Sequence, residues 1–251
     1  MQLVLLTALG VGCATIIGAV IGFLFKNISH RSSDIVLSFA AGVMLAAAVI
    51  GLILPSVEYG GKFGVATAVV GIFTGALCLN VIDKSVPHLH KILGTDNEEH
   101  INNKSLDKVI LFVMAIAIHN LPEGIAAGVG FGSGNNAEAL LIAGGIALQN
   151  IPEGMVIIAP MLSAGLSSRK TFICAAITGV VEILGTLLGY YAVTLSSAVL
   201  PFALAFAGGT MLYVISDEMI PETHAHGSHR GATYALLFGF CLMLVSDVLL
   251  G

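Results

Sequence analysis

The sequence reads His119-Asn120-Leu121-Pro122-Glu123-Gly124 in one long apolar stretch and Gln149-Asn150-Ile151-Pro152-Glu153-Gly154 in the next. Polar and acidic side chains are costly at membrane depth, and where they occur they tend to mark a substrate or ion pathway. Each copy combines a proline, which interrupts the helical backbone, with a carboxylate and an imidazole or amide. These are the groups that a divalent metal ion needs in order to cross hydrocarbon.

The composition places the chain among polytopic membrane proteins. Of its 251 residues, 57% are hydrophobic and only 10% are charged, whereas a soluble domain carries about 25% charged residues. No basic stretch indicates a nucleic-acid partner. Four cysteines lie in apolar segments without a Cys-x-x-Cys pair, so we interpret them as buried small apolar residues rather than disulfides or zinc thiolates. They are Cys13, Cys78, Cys174 and Cys241.

Eight apolar stretches are long enough to cross a hydrocarbon core of about 30 Å as helices. We place them at 1–25, 34–57, 64–84, 107–130, 138–163, 170–195, 201–221 and 231–251. The sequence therefore predicts an all-α fold with one eight-helix transmembrane domain over 1–251. Its longest polar connection, 85–106, contains His88 and His90.

The basic residues predict the orientation. With eight spans, the loops after spans 1, 3, 5 and 7 hold every Lys and Arg except Lys62. Because basic loops face the cytoplasm, both termini are predicted outside and the histidine-bearing connections in the cytosol. Spans 4 and 5 then run antiparallel with their motifs at similar depth, a pattern typical of an inverted repeat around a midplane site.

Helical spacing brings each motif's polar groups to one face, since residues i, i+3 and i+4 align. Each proline lacks an N–H and frees a carbonyl one turn earlier. A lone kink or a lone buried amide is usually structural, but two matching motifs favour a binding site. Glu182 adds an acid in the middle of span 6, and no Lys or Arg lies near these groups to pair with them.

Because these ionisable groups are acids without a basic partner, we expect the site to bind a cation. Uncompensated carboxylates otherwise take up protons, so we expect protons and metal to compete for Glu123 and Glu153. Imidazole, carboxylate and amide donors suit Zn²⁺, Fe²⁺, Mn²⁺, Cd²⁺ or Co²⁺ better than Na⁺ or K⁺. His119 argues mildly against Ca²⁺ and Mg²⁺, and the absence of a thiolate from both motifs argues against Cu⁺.

With these residues, the chain resembles the ZIP (Zrt/Irt-like) metal transporter family, of the bacterial GufA-like type. The resemblance implies uptake of a divalent transition metal, usually zinc, into the cytosol across a cell membrane. By motif match, one metal site would use His119, Glu123, Gln149 and Glu153. An adjacent site would use Asn120, Glu123, Asn150, Glu153 and Glu182. Two-metal relatives often carry Asp where this chain has Asn150, so the second site has one negative charge fewer here.

The resemblance also implies a pathway on either side of the site. Met44 resembles a methionine near the access route, and Glu58 and Asp247 resemble outer gate carboxylates. An exit route and cytosolic metal sensor would comprise Asp83, His88, His90, Asp217, Glu218, His224, His226 and His229. Met44 is equally well explained as a packing residue, and each histidine alone as a solvated loop residue.

Family members are described as elevator-type carriers, in which a four-helix bundle containing spans 4 and 5 moves, often as dimers. The resemblance thus adds a homodimer to the expectations. A metal-selective channel is an alternative that the sequence leaves open. An intramembrane metalloenzyme is disfavoured because no His-Glu-x-x-His string occurs, and a purely structural protein is disfavoured by the unpaired midplane carboxylates.

Overall fold

A computed structural model describes residues 1–25, 29–92, 120–163, 166–224 and 229–250. All regular elements in these ranges are helical, so the predicted all-α class holds for the described part. The α-helices are α1 (Gln2–Leu24), α2 (His30–Ala46), α3 (Leu54–Tyr59), α4 (Gly64–Ile92), α5 (120–129), α6 (Asn136–Val156), α7 (Ile158–Ser163), α8 (Ser168–Leu195), α9 (Leu200–Val214), α10 (Ile220–His224) and α11 (His229–Leu250).

Within the residues that the structure describes, seven helical stretches are long and apolar enough to cross a membrane, which makes the chain a multi-pass membrane protein. They coincide with predicted spans 1, 2, 3, 5, 6, 7 and 8. Most of the predicted fourth span, 107–130, lies outside the described residues, although its end forms α5. The eighth span and the orientation of the termini therefore stay predictions.

The third predicted span, 64–84, corresponds to the candidate span Gly61–Ile82, but its helix is longer than the span. Helix α4 continues to Ile92, so residues 85–92 are helical where we expected the polar connection to begin. In the sequence, Val86, Leu89 and Ile92 recur every third position, a spacing typical of a helix. The fifth span also differs, because a turn at Ile157 separates α6 from α7.

Spans 2 and 7 each contain a π-helical segment, Ala47–Ile53 and Ile215–Met219. In both, the next helix has proline at its second position, Pro55 or Pro221. The Leu54 N–H bonds the Val49 carbonyl, and the Ile220 N–H bonds the Ile215 carbonyl. Each bond spans five residues, so the turn is wider than in an α-helix, as is frequent at functional sites.

The helices pack in two groups. In the first, which we call the site bundle, α1 packs against α6 and α8, and α5 packs against α8. Glycines permit the close approach: a Cβ at Gly154 would overlap the Thr15 carbonyl oxygen, and one at Gly124 would overlap that of Glu182. Small residues of this kind allow helix backbones to touch within a membrane.

The second group, which we call the scaffold, pairs α2 with α11 and α4 with α9. It meets the site bundle where α2 and the first π-helical segment contact α6. The cysteine prediction was wrong about burial: Cys13, Cys78 and Cys241 are exposed on helix surfaces, and all four thiols are free. Since lipid is as apolar as a protein core, hydrophobicity alone cannot distinguish the two environments.

Candidate metal centre

The two motif helices bring their polar side chains into the protein interior. Helix α5 buries Asn120 and Glu123, α6 buries Gln149 and Asn150, and α8 adds Glu182, with no more than 1% of any of these residues exposed. Glu153 is half-buried. The predicted set therefore lies in one part of the site bundle, except that His119 falls outside the described residues.

Several of these polar atoms have no hydrogen-bond partner among the described residues. They are both carboxylate oxygens of Glu123, Oδ1 of Asn120, both amide atoms of Gln149 and Oδ1 of Asn150. A buried polar group without a partner costs about 1–3 kcal/mol. So many unsatisfied polar atoms in one place, most of them acceptors, indicate a site built for a ligand rather than for structure.

The charged side chains described in the site are all acidic. Glu123 is repelled by both Glu153 and Glu182, and Glu153 and Glu182 also repel each other. Helices α1, α5 and α6 contain no Lys or Arg that could offset these charges. A bound cation or protons would have to neutralise them.

Helix α1 also contributes to the site, which the sequence analysis missed. The buried Thr15 hydroxyl donates to both carboxylate oxygens of Glu182, at 3.0 and 2.9 Å. Nδ2 of Asn150 donates to the Val11 carbonyl at 3.4 Å. Thr15 is a polar residue in an apolar span, but a lone threonine carries little signal because its hydroxyl often bonds its own helix.

The acidic side chains in the described residues do not by themselves form a metal-binding site. Within the described ranges, no three His, Cys, Asp or Glu side chains converge closely enough to hold a metal ion together. Further ligands there would be the amides of Asn120, Gln149 and Asn150, His119, and the backbone carbonyls that the two prolines free. Mixed and imperfect ligation of this kind suits an ion that has to be released.

The residues predicted for the outer pathway are spread over the scaffold. Met44 is fully buried in α2. Glu58 is exposed at the end of α3, and Asp247 is half-buried on α11. Near Glu58, the Tyr59 hydroxyl donates to Glu138 at 3.1 Å, which links α3 of the scaffold to the start of α6.

The residues predicted for the exit are only partly described. Asp217 is exposed and Glu218 half-buried in the second π-helical segment. The rings of His224 and His229 lie with their centroids 5.7 Å apart. His226 and the side chains of Asp83, His88 and His90 lie outside the described part. Sequence reasoning overlooked Asp34, which is only 3% exposed on α2.

Comparison with known proteins identifies the family. Residues 94–247 match the family described as "ZIP Zinc transporter". Zinc transporter GufA of Myxococcus xanthus is 38% identical over 253 residues, covering 98% of both chains. Zinc transporter ZIPB of Bordetella bronchiseptica is 37% identical, covering 95% of this chain and 78% of its own. Zinc transporter ZupT of Chlorobaculum parvum is 35% identical, covering 95% and 94%. The chain is thus a member of the ZIP family.

Proposed function

We propose that this protein transports divalent transition-metal cations, zinc first among them, through the site between α5 and α6. The observation that carries the proposal is Glu123, a fully buried carboxylate with neither oxygen hydrogen-bonded among the described residues. The relatives named as zinc transporters support the choice of zinc. Cd²⁺, Fe²⁺ and Mn²⁺ are further candidates because the same donors bind them.

The ligands would come from both motif helices. Glu123 and Glu153 would bridge two positions, one completed by His119 and Gln149 and the other by Asn120, Asn150 and Glu182. Asn150 lacks the negative charge of an aspartate, so the second position would bind metal more weakly. The metal is the transported substrate, and its charge would offset the repulsion among the three glutamates.

Alternating access is the mechanism that the packing supports best. The site bundle carries all the proposed ligands that the structure describes, and its contact with the scaffold runs along α2, the first π-helical segment and α6. Glycines line part of this contact: Gly145 of α6 faces Ala47, and Gly51 of the first π-helical segment faces Ile142. Small residues of this kind let two helix surfaces approach closely, which a movement of one group along the other requires. The direction of transport, toward the cytosol, rests on the family.

Metal uptake into proteoliposomes tests the proposal. Wild type should show saturable Zn²⁺ uptake, and Glu123→Gln, which keeps the volume and removes the charge, should lower it by about tenfold or more. Glu222→Gln, at an exposed acid on α10, is the matched control and should transport normally. Equal uptake by Glu123→Gln and wild type would refute the site. Competition by Cd²⁺, Fe²⁺, Mn²⁺, Mg²⁺ and Ca²⁺ ranks the substrates.

A metal-selective channel is the second candidate, and counterflow distinguishes it from a carrier. A carrier loaded with unlabelled Zn²⁺ should accumulate labelled Zn²⁺ transiently against its gradient, whereas a channel should not. The homodimer expected from the family is tested separately, by the mass of the purified protein with detergent subtracted.

A further inference from the structure

A crevice of about 710 Å³ opens on the side of the molecule where the scaffold meets the site bundle. It is lined by Val36 and Phe39 of α2, by Ala235 and Phe238 of α11, and by Pro152 of α6. The rings of Phe39 and Phe238 are 6.0 Å apart. Every group named here is apolar, and all three helices belong to membrane-crossing stretches. A water molecule among these groups would lack hydrogen-bond partners, so a hydrocarbon chain fits the space better.

One end of the crevice carries two exposed arginines, beside the buried Asp34 of α2. Arg31 lies one helical turn before Ile35 on α2, and Arg230 directly precedes Gly231 on α11, Ile35 and Gly231 both lining the crevice. A Cβ at Gly231 would lie 3.6 Å from Ile35, so these two positions are neighbours and the helices start at the same end. Both arginines are exposed, and neither forms a salt bridge to a residue in the described ranges.

This combination matches the two ends of a phospholipid. We propose that the crevice binds an acyl chain of an anionic phospholipid and that Arg31 and Arg230 bind its headgroup. Basic residues at the cytoplasmic edge of transmembrane helices recognise anionic headgroups, and both arginines lie on the side predicted to be cytoplasmic. The contacts to the headgroup make the site select anionic phospholipids, and the crevice holds the acyl chain.

The site lies close to the metal centre. Pro152 precedes Glu153 in the second motif, so an acyl chain in the crevice would touch the helix that carries Gln149, Asn150 and Glu153. The crevice is also bounded by both helix groups, so a bound chain would sit between them. Lipid binding itself does not depend on the proposed transport and can be measured without it.

Native mass spectrometry of the delipidated full chain tests the headgroup. Phosphatidylglycerol should be retained in preference to phosphatidylcholine of the same chains. The Arg31→Gln/Arg230→Gln double variant should lose this preference, by roughly fivefold for each arginine. Arg169→Gln/Lys170→Gln, at two exposed basic residues at the start of α8, is the matched control and should keep it. Equal loss in both double variants, or in neither, would overturn the headgroup assignment.

A second pair of variants tests the crevice. Ala235→Trp fills it and should lower retention of both lipids, while Val248→Trp, on the same helix at a position 75% exposed, should not. Unchanged retention in Ala235→Trp would overturn the acyl-chain assignment. Thermal unfolding of every variant in one detergent tests whether the folds are comparable. The charge-conserving variant Arg31→Lys/Arg230→Lys should still retain phosphatidylglycerol, because its positive charges remain.

Discussion

The Thr15 hydroxyl lies 3.0 Å from one carboxylate oxygen of Glu182 and 2.9 Å from the other. Both residues are buried, and the bond joins α1 to α8 beside the candidate metal centre. Neither carboxylate oxygen of Glu123 accepts a hydrogen bond of this kind among the described residues, although the Gln149 amide lies beside it. The two carboxylates therefore differ in kind: Glu182 is held in place by the protein, whereas Glu123 is available to a ligand.

Replacing Thr15 by Val should leave the Glu182 carboxylate buried without its donor. The expected loss of stability is about 1–3 kcal/mol, the cost of an unsatisfied buried polar group, visible as a lower thermal midpoint in detergent. The KM for Zn²⁺ should also rise if Thr15 orients Glu182 toward the metal. Thr15→Ser restores a hydroxyl and should recover both quantities; a KM that stays at the wild-type value in Thr15→Val would argue against a positioning role.

Asn150→Asp should strengthen the second metal position. The new carboxylate faces the Val11 carbonyl, to which the Asn150 amide now donates at 3.4 Å, and Glu182 lies nearby. These negative groups should destabilise the metal-free variant and make its thermal midpoint depend more steeply on Zn²⁺ than that of wild type. Bound Zn²⁺ per chain, measured by elemental analysis after gel filtration, should increase. The same count in both proteins would contradict a second site at Asn150.

Gly154→Ala should disrupt the contact between α6 and α1, since the added Cβ would overlap the Thr15 carbonyl oxygen. Overpacking of this kind costs about 1–3 kcal/mol, and it should also disturb Glu182 through Thr15. Gly144→Ala lies on the same helix with nothing within 4 Å of the new Cβ. That control should be neutral or more stable, by up to about 1 kcal/mol, because alanine favours helix. Thermal midpoints that fall equally in both variants would indicate a general effect on α6.

Zinc uptake should depend on pH through proton competition at the glutamates. Lowering the pH from about 8 to about 5 favours the protonated carboxyl groups, which cannot bind metal, so the KM for Zn²⁺ should rise. Initial rates in proteoliposomes without a pH gradient measure this. Glu123→Gln should show a flatter KM profile over whatever uptake it retains, and a wild-type KM that does not change over this range would exclude the competition.

The sequence predicted what depends on contrast with the surrounding hydrophobicity. Seven of the spans follow from long apolar stretches of sequence. Polar residues within those stretches predicted the buried set, which comprises Asn120, Glu123, Gln149, Asn150 and Glu182. The contribution of Thr15 could not be predicted, because it depends on a contact between residues far apart in the chain. The burial of the cysteines was predicted wrongly, since core and lipid select the same apolar side chains.

The π-helical segments also alter the helical register of everything that follows them. An α-helix turns about 100° per residue, and a π-helical turn takes up an extra residue, so the side chains beyond it are rotated relative to those before it. In span 2, Met44 precedes the wide turn and Glu58 follows it; in span 7, Thr210 precedes it and His224 follows it. Deleting one residue from 47–53 would barely change the hydrophobicity or length of span 2. It would, however, rotate Glu58 about the helix axis relative to Met44. The wide turns thus fix the angle at which the two ends of each span face their neighbours.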